Sequence, residues 1–233
     1  MVIAPCIVPL PAPDSSDIAL WLIDLDAEPG LWDAQLLSVK ERDRAQRFRF
    51  EVHAQRYRAS HVALRLILGE ATGDAPASIE FTEGRHGKPR LLKAGAPHFN
   101  MSHSAGWALV GVCPGHPIGV DIEIVTPMDD AATLAQRHFS EAEYAAFKNT
   151  PTNQRLEAFF RGWTRKEACL KALGSGLSIE PRTFEAGLGT LDLNTAITVE
   201  AQRCAMSVVC IELPIRGLAA VARLAQPNSP LAM

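Results

Sequence analysis

The chain has 233 residues, of which 47% are hydrophobic and 21% charged, and a formal net charge of −3. That composition excludes a disordered chain and fits one sizeable core or two small ones. A slightly acidic balance offers no bulk attraction to nucleic acid or membrane, so any anion site must be a local basic cluster.

Cys6, Cys113, Cys169, Cys204 and Cys210 are odd in number and form no CxxC pair. They read as free thiols in a reducing, cytoplasmic setting. The opening MVIAPCIVPLPAPDSSD has no basic start and is broken by Pro5, Pro9, Pro11 and Pro13, so it reads as neither signal peptide nor membrane span. The apolar run Ile18 to Leu25 suits a buried strand. Ser38, with Glu41 three residues on, is a capping-box pattern, and the chain stays helix-compatible to Gly69 or Gly73 with a break near Phe50. SIEFTEGRHGKPRL reads as strand, turn and strand, punctuated by Gly84, Gly87 and Pro89. HFNMSHSAGWALVGVC follows as a loop and then a strand, with Ser102 and His103 just before the strand.

HPIGVDIEIV, residues 116–125, is the most informative strand. Alternation puts Ile118, Val120, Ile122 and Ile124 on one face and Gly119, Asp121 and Glu123 on the other. Two neighbouring carboxylates repel unless water or a cation screens them. Taken alone, the stretch is explained by a strand with one wet face. Gly119, small and beside the acids, is expected to leave room for a ligand. A second capping-box pattern, Ser140 with Glu143, opens another helical stretch that breaks at NTPTN and resumes from about Gln154 to Gly174. Strand-like segments near residues 197–201, 205–213 and 218–224 close the chain. The two parts thus share an order, a broken helix opened by S-x-x-E and then strands, which suggests an internal duplication. Ligand sites favour the seam of such folds.

Within RGWTRKEACLKALGSG, Glu167 and Lys171 lie four apart on one helix face, with Trp163 a turn earlier. As a lone pair they amount to an exposed ion pair contributing a few tenths of a kcal/mol, a rough figure. Asp121, Glu123 and Glu167, three oxygen-bearing side chains, would together suit a hard, phosphate-binding cation such as Mg²⁺, and no His/Cys set has zinc spacing. Basic candidates for a phosphate are Lys40, Arg42, Arg44, Arg47 and Arg49, followed by Arg56 and Arg58, mostly explained as a solvated helix face, and Lys88 at the HGKP turn. His53, His61 and His138 are read as structural.

The ordered set GKP, FNMSHS, IGVDIE and WTRKEACLK resembles the 4'-phosphopantetheinyl transferases, specifically the larger surfactin-synthetase-activating type, over about residues 38–179. The resemblance implies an α/β (α+β) fold of two similar halves, each a small, mostly antiparallel sheet on a long helix, with coenzyme A bound between them. Residues 1–115 would form the nucleotide side, and residues 116–233 the metal and carrier-protein side. Matched residue by residue, Asp121, Glu123 and Glu167 correspond to ligands of Mg²⁺, with Mn²⁺ as a substitute. Lys171 corresponds to a lysine near the pyrophosphate, and Ser102, His103, Lys88 and Arg44 correspond to coenzyme A contacts. Glu41 departs from the pattern where a second cation for the 3'-phosphate is expected, so either Lys40 or Arg42 substitutes or the 3'-phosphate is held with fewer charges.

The implied reaction transfers 4'-phosphopantetheine from coenzyme A to a serine of an apo acyl or peptidyl carrier protein, releasing 3',5'-ADP. The carrier could belong to fatty acid, polyketide or nonribosomal peptide synthesis. Glu167 is the favoured base, with Asp121 or a metal-bound water as alternatives. The segment 126–139, read as a loop, would lie near the carrier, with Met128, Leu134 and Phe139 as apolar contacts and Arg137 as a charged one. A monomer that engages neither nucleic acid nor membrane is expected. Two rivals stand beside this reading: a metal-dependent phosphodiester hydrolase, which consumes coenzyme A without a carrier, and a non-catalytic coenzyme A or carrier-binding module, which forms no covalent product.

Overall fold

Alternating hydrophobicity and two long apolar-faced helices build two sheets, each covered by its own helix. The computed structural model describes residues 6–13, 17–84, 86–175 and 178–225. The first part contains β1 (Ile7–Leu10), β2 (Ala19–Asp24), α1 (Val39–Gln46), α2 (Glu51–Thr72), β3 (Phe81–Glu83), β4 (Pro89–Leu91), β5 (His98–Ser104) and β6 (Trp107–Cys113). The second contains β7 (Ile118–Ile124), α3 (Ala131–His138), α4 (Glu141–Asn149), α5 (Thr152–Leu173), β8 (Leu193–Val199), β9 (Gln202–Ile211) and β10 (Gly217–Leu224). The four-stranded sheets run β1-β2-β6-β5 and β7-β10-β9-β8, and every pairing is antiparallel; β3 and β4 form a separate hairpin.

The expected α/β class is what the structure shows. In each part the first helix-flanking strand pairs with the last strand, which pairs with the one before it. Both S-x-x-E boxes cap a short helix, and both parts then carry a 22-residue helix ended by a left-handed glycine, Gly73 or Gly174. The likeness extends to a buried cation that neither cap pattern announced. Arg65 on α2 bonds Glu41 and the carbonyls of Pro76 and Ile79, while Lys166 on α5 bonds Glu143 and the carbonyls of Pro181 and Phe184. Glu41 is therefore engaged in the fold.

The sheets stack with α2 and α5 outermost. Leu20, Leu22, Leu109, Ile118, Val120, Ile122 and Val221 form the core between them, each buried side chain contributing roughly 1.5–3 kcal/mol. A separate cluster joins α2 to the first sheet and another joins α5 to the second. Gly111 permits the close stacking, since a Cβ there would lie 2.7 Å from Val120.

Three expectations need correction. HFNMSHS is not a loop but strand β5, so Ser102 and His103 lie within a strand. The segment after β7 contains helix α3. Gly119 leaves no space for a ligand, because a Cβ there would fall 2.1 Å from the Ala168 carbonyl oxygen and 2.2 Å from the Ala172 nitrogen. The backbone of α5 occupies that space.

Candidate active site

β7 is an edge strand, hydrogen-bonded to β10 on one side only, and edge strands expose unpaired backbone groups. β5 covers it with side chains. Asn100, Ser102 and Ser104 alternate along β5 on the face toward the second sheet. The Asn100 carboxamide oxygen accepts from the Val120 N–H at 2.8 Å, and Ser104 Oγ accepts from the Ile124 N–H at 3.1 Å. The same row reaches the two acids: Ser102 donates to Asp121 Oδ1 at 2.8 Å and Ser104 to Glu123 Oε2 at 2.7 Å.

Asp121 is not on a wet face; it is 3% exposed. Lys171 of α5 closes on it, with Nζ 2.6 Å from Oδ1 and 2.9 Å from Ser102 Oγ. The lysine thus pairs with Asp121 across the strand–helix contact and not with Glu167 on its own helix. Asp121 Oδ2 is buried without a hydrogen-bond partner. Burial pushes the Asp121 carboxyl above its usual range despite Lys171 and Ser102, because an ion left half-solvated in low dielectric is costly. Burial likewise raises Glu123, with Asp121 adding to the effect against the Ser104 hydrogen bond. Glu167 is raised by burial first and then by the neighbouring Asp121. Among the described residues no three acids, histidines or cysteines already converge as a metal cage. The donor set nevertheless fits a divalent cation: Glu123 senses the charge of Asp121, Glu167 senses that of Asp121 and Glu123, and Asp121 has a buried oxygen lacking a partner.

Glu167 and Lys171 line a 260 Å³ cleft together with Lys88, Asn100 and Gly174. His103 is exposed on the other face of β5. Its pKa lies below the usual imidazole value, through crowding by the surrounding protein and then the Lys171 ammonium. Arg44 stands apart on α1, in a 530 Å³ depression shared with Lys40, Arg47 and Phe48, and its guanidinium lies 5.7 Å from the Tyr57 ring centroid. Tyr57 stacks on His61 at 3.9 Å. Burial first, and among charges Arg44 and His103, act to lower the His61 pKa. Arg42 instead bonds the Leu37 carbonyl, which leaves Lys40 and Arg47 as the cations sharing the depression with Arg44. Phe139 is 3% exposed and packs on Phe147 and Phe159, so it is a core residue. Met128 and Leu134 line a 430 Å³ apolar cavity with Phe159, Trp163 and Glu123, and Arg137 is exposed on α3.

Sequence reasoning quoted but did not single out Asn100 and Ser104. Their signal was the i, i+2, i+4 polar row that includes Ser102. Tyr57 carried no signal beyond its place on a helix.

A buried acid–ammonium pair thus lies at the seam of two stacked sheets in a two-part α/β protein, with a separate basic depression on α1. Residues 117–206 match the model of the 4'-phosphopantetheinyl transferase superfamily. The 4'-phosphopantetheinyl transferase HetI of a Nostoc species is 41% identical over 170 residues, covering 70% of this chain and 71% of that protein. The Bacillus pumilus 4'-phosphopantetheinyl transferase psf-1 is 36% identical over 152 residues, covering 65% of this chain and 64% of that one. A Bacillus subtilis 4'-phosphopantetheinyl transferase is 32% identical over 152 residues, covering 65% and 66%. The matches thus span just under two thirds of the two Bacillus relatives. The chain belongs to the 4'-phosphopantetheinyl transferase superfamily.

Proposed function

We propose that this protein transfers the 4'-phosphopantetheine group of coenzyme A to a serine of an apo carrier protein, in a Mg²⁺-dependent reaction that releases 3',5'-ADP. The observation that carries this reading is the Asp121 carboxylate, buried at the seam between Ser102 and Lys171 with its second oxygen unpartnered. Asp121, Glu123 and Glu167 would hold the cation, which when bound offsets charge on the pyrophosphate oxygens. Mn²⁺ satisfies the same oxygen donors.

The carrier serine attacks the β-phosphorus of coenzyme A, and its proton passes to a base. Glu167 suits that role, being half-buried on the cleft wall with its carboxyl held above its ordinary value by burial. Asp121 is a poorer choice, since Ser102 and Lys171 already enclose its Oδ1. As the bond to the leaving phosphate breaks, the Lys171 ammonium stabilises the oxygen that departs with 3',5'-ADP. Ser102 orients Asp121 and Lys171 together. His103, Arg44 and Lys40 stand on the side where the nucleotide phosphates would lie. The carrier would dock across α3, where Arg137 is exposed beside the cavity lined by Met128 and Leu134. No helix among the described residues is long and apolar enough to cross a membrane; a cytoplasmic monomer is part of the proposal.

Incubation with coenzyme A, Mg²⁺ and an apo carrier, followed by intact-mass measurement of the carrier, tests the reading. Gain of one phosphopantetheine group supports it. Coenzyme A cleavage with an unmodified carrier would instead indicate a phosphodiester hydrolase.

A further inference from the structure

Lys88 belongs to the first part of the chain, yet its ammonium makes both of its hydrogen bonds to the second. Nζ donates to the Ile118 carbonyl at 2.7 Å and to the Ala172 carbonyl at 3.1 Å. Ile118 begins β7, three residues before Asp121. Ala172 lies in the last turn of α5, next to Lys171, where helix carbonyls have no partner within the helix and a cation is favoured by the helix dipole. The side-chain stem is fixed too: a Cβ on Gly174 would lie 3.0 Å from Lys88 Cδ and 3.4 Å from its Cβ. The backbone is held by the turn in which the Gly84 N–H bonds the Lys88 carbonyl and the Gly87 N–H bonds that of Gly84, both at 2.9 Å.

We propose that Lys88 is a positioning residue, a strut that sets the end of α5 against the start of β7 and so holds Glu167 and Lys171 in register with Asp121 and Glu123, and that it is not a coenzyme A phosphate contact. Burial lowers its pKa from 10.5 to about 8, and the two carbonyl acceptors favour the ammonium form, so the strut stays charged near neutral pH. The cleft beside it is lined by Glu167 and Lys171, the groups whose spacing the strut controls. The inference deepens the transferase reading and rests on it only for its kinetic arm.

The test uses the full chain carrying Lys88→Met, which keeps the stem but removes the ammonium, and Lys88→Arg, which keeps the charge but places a planar fork where one nitrogen now meets two carbonyls. Hydrogen exchange of peptides covering residues 117–122 and 166–174, read in the free protein, should accelerate about tenfold in both variants. Coenzyme A affinity by calorimetry should stay within about threefold, while kcat falls by about 10²-fold for a misplacement near 1 Å. Unchanged exchange in Lys88→Met would overturn the proposal. So would a Lys88→Arg protein that behaves like the original while Lys88→Met loses coenzyme A affinity, the signature of a phosphate contact. Should Lys88→Met fail to fold, Lys88→Arg alone decides through the same exchange readout. If the wild-type protein transfers nothing, the transferase reading fails while the exchange arm still judges the strut.

Discussion

Gly119→Ala should damage stability and activity together. The added methyl would sit 2.1 Å from the Ala168 carbonyl oxygen, 2.2 Å from the Ala172 nitrogen and 2.7 Å from the Lys171 carbonyl carbon. All three are backbone atoms of α5, so no side chain can rotate away, and the helix must withdraw from β7 by about 1 Å. Overpacking of this kind costs about 1–3 kcal/mol, occasionally more. The same movement draws Lys171 off Asp121, a contact now 2.6 Å long, and a displacement of about 1 Å at a reacting group lowers turnover by about 10²-fold. Thermal unfolding and steady-state transfer to an apo carrier measure the two effects. Gly30→Ala is the control, since nothing lies within 4 Å of a Cβ there. A Gly119→Ala protein with unchanged melting temperature and turnover would refute the close helix–strand contact on which the site geometry depends.

Asp121→Asn preserves shape but removes the charge, so binding of Mn²⁺ measured by paramagnetic resonance should be lost and transfer should fall by about 10³-fold, on the order expected when a charge-stabilising group goes; retained Mn²⁺ binding would move the metal elsewhere. Lys166→Met strands the buried Glu143 carboxylate, which also accepts from the Ala186 and Gly187 N–H groups, and urea unfolding should show a loss of about 3–5 kcal/mol. Burial raises the Glu143 carboxyl, but Lys166 and the backbone donors outweigh it and hold the group below its usual value. Its contribution is therefore complete above the ordinary carboxylate pKa of 4.5 and disappears as pH falls through the lower folded value. Melting curves between neutral and acid pH should show this loss in the wild type and a flatter profile in Glu143→Gln.

Local signals in the sequence were strong where periodicity and caps agreed. The alternation through residues 118–124 placed β7, and the two S-x-x-E boxes placed α1 and α4 with their following helices. β5 was misread because its inward face is polar: Asn100, Ser102 and Ser104 serve a neighbouring edge strand, a demand set by the stacking of the sheets and not visible within the segment. Asp121 and Glu123 were legible as an unusual pair, but the depth of Asp121 and its capture by Lys171 arise only when α5 packs on β7. That packing also explains Gly119, whose small size serves helix contact and not a ligand. Lys166 and Arg65 carried no signal beyond their place in helix-compatible stretches. Only the tertiary fold shows each one joining a capping-box glutamate to a turn.

The most direct test of the account is the mass of an apo carrier protein after incubation with this enzyme, coenzyme A and Mg²⁺, run beside Asp121→Asn. The account predicts addition of one phosphopantetheine group by the wild type, release of 3',5'-ADP in equal amount, and no addition by the variant. A carrier left at its original mass by the wild type, or modified equally well by Asp121→Asn, would contradict it.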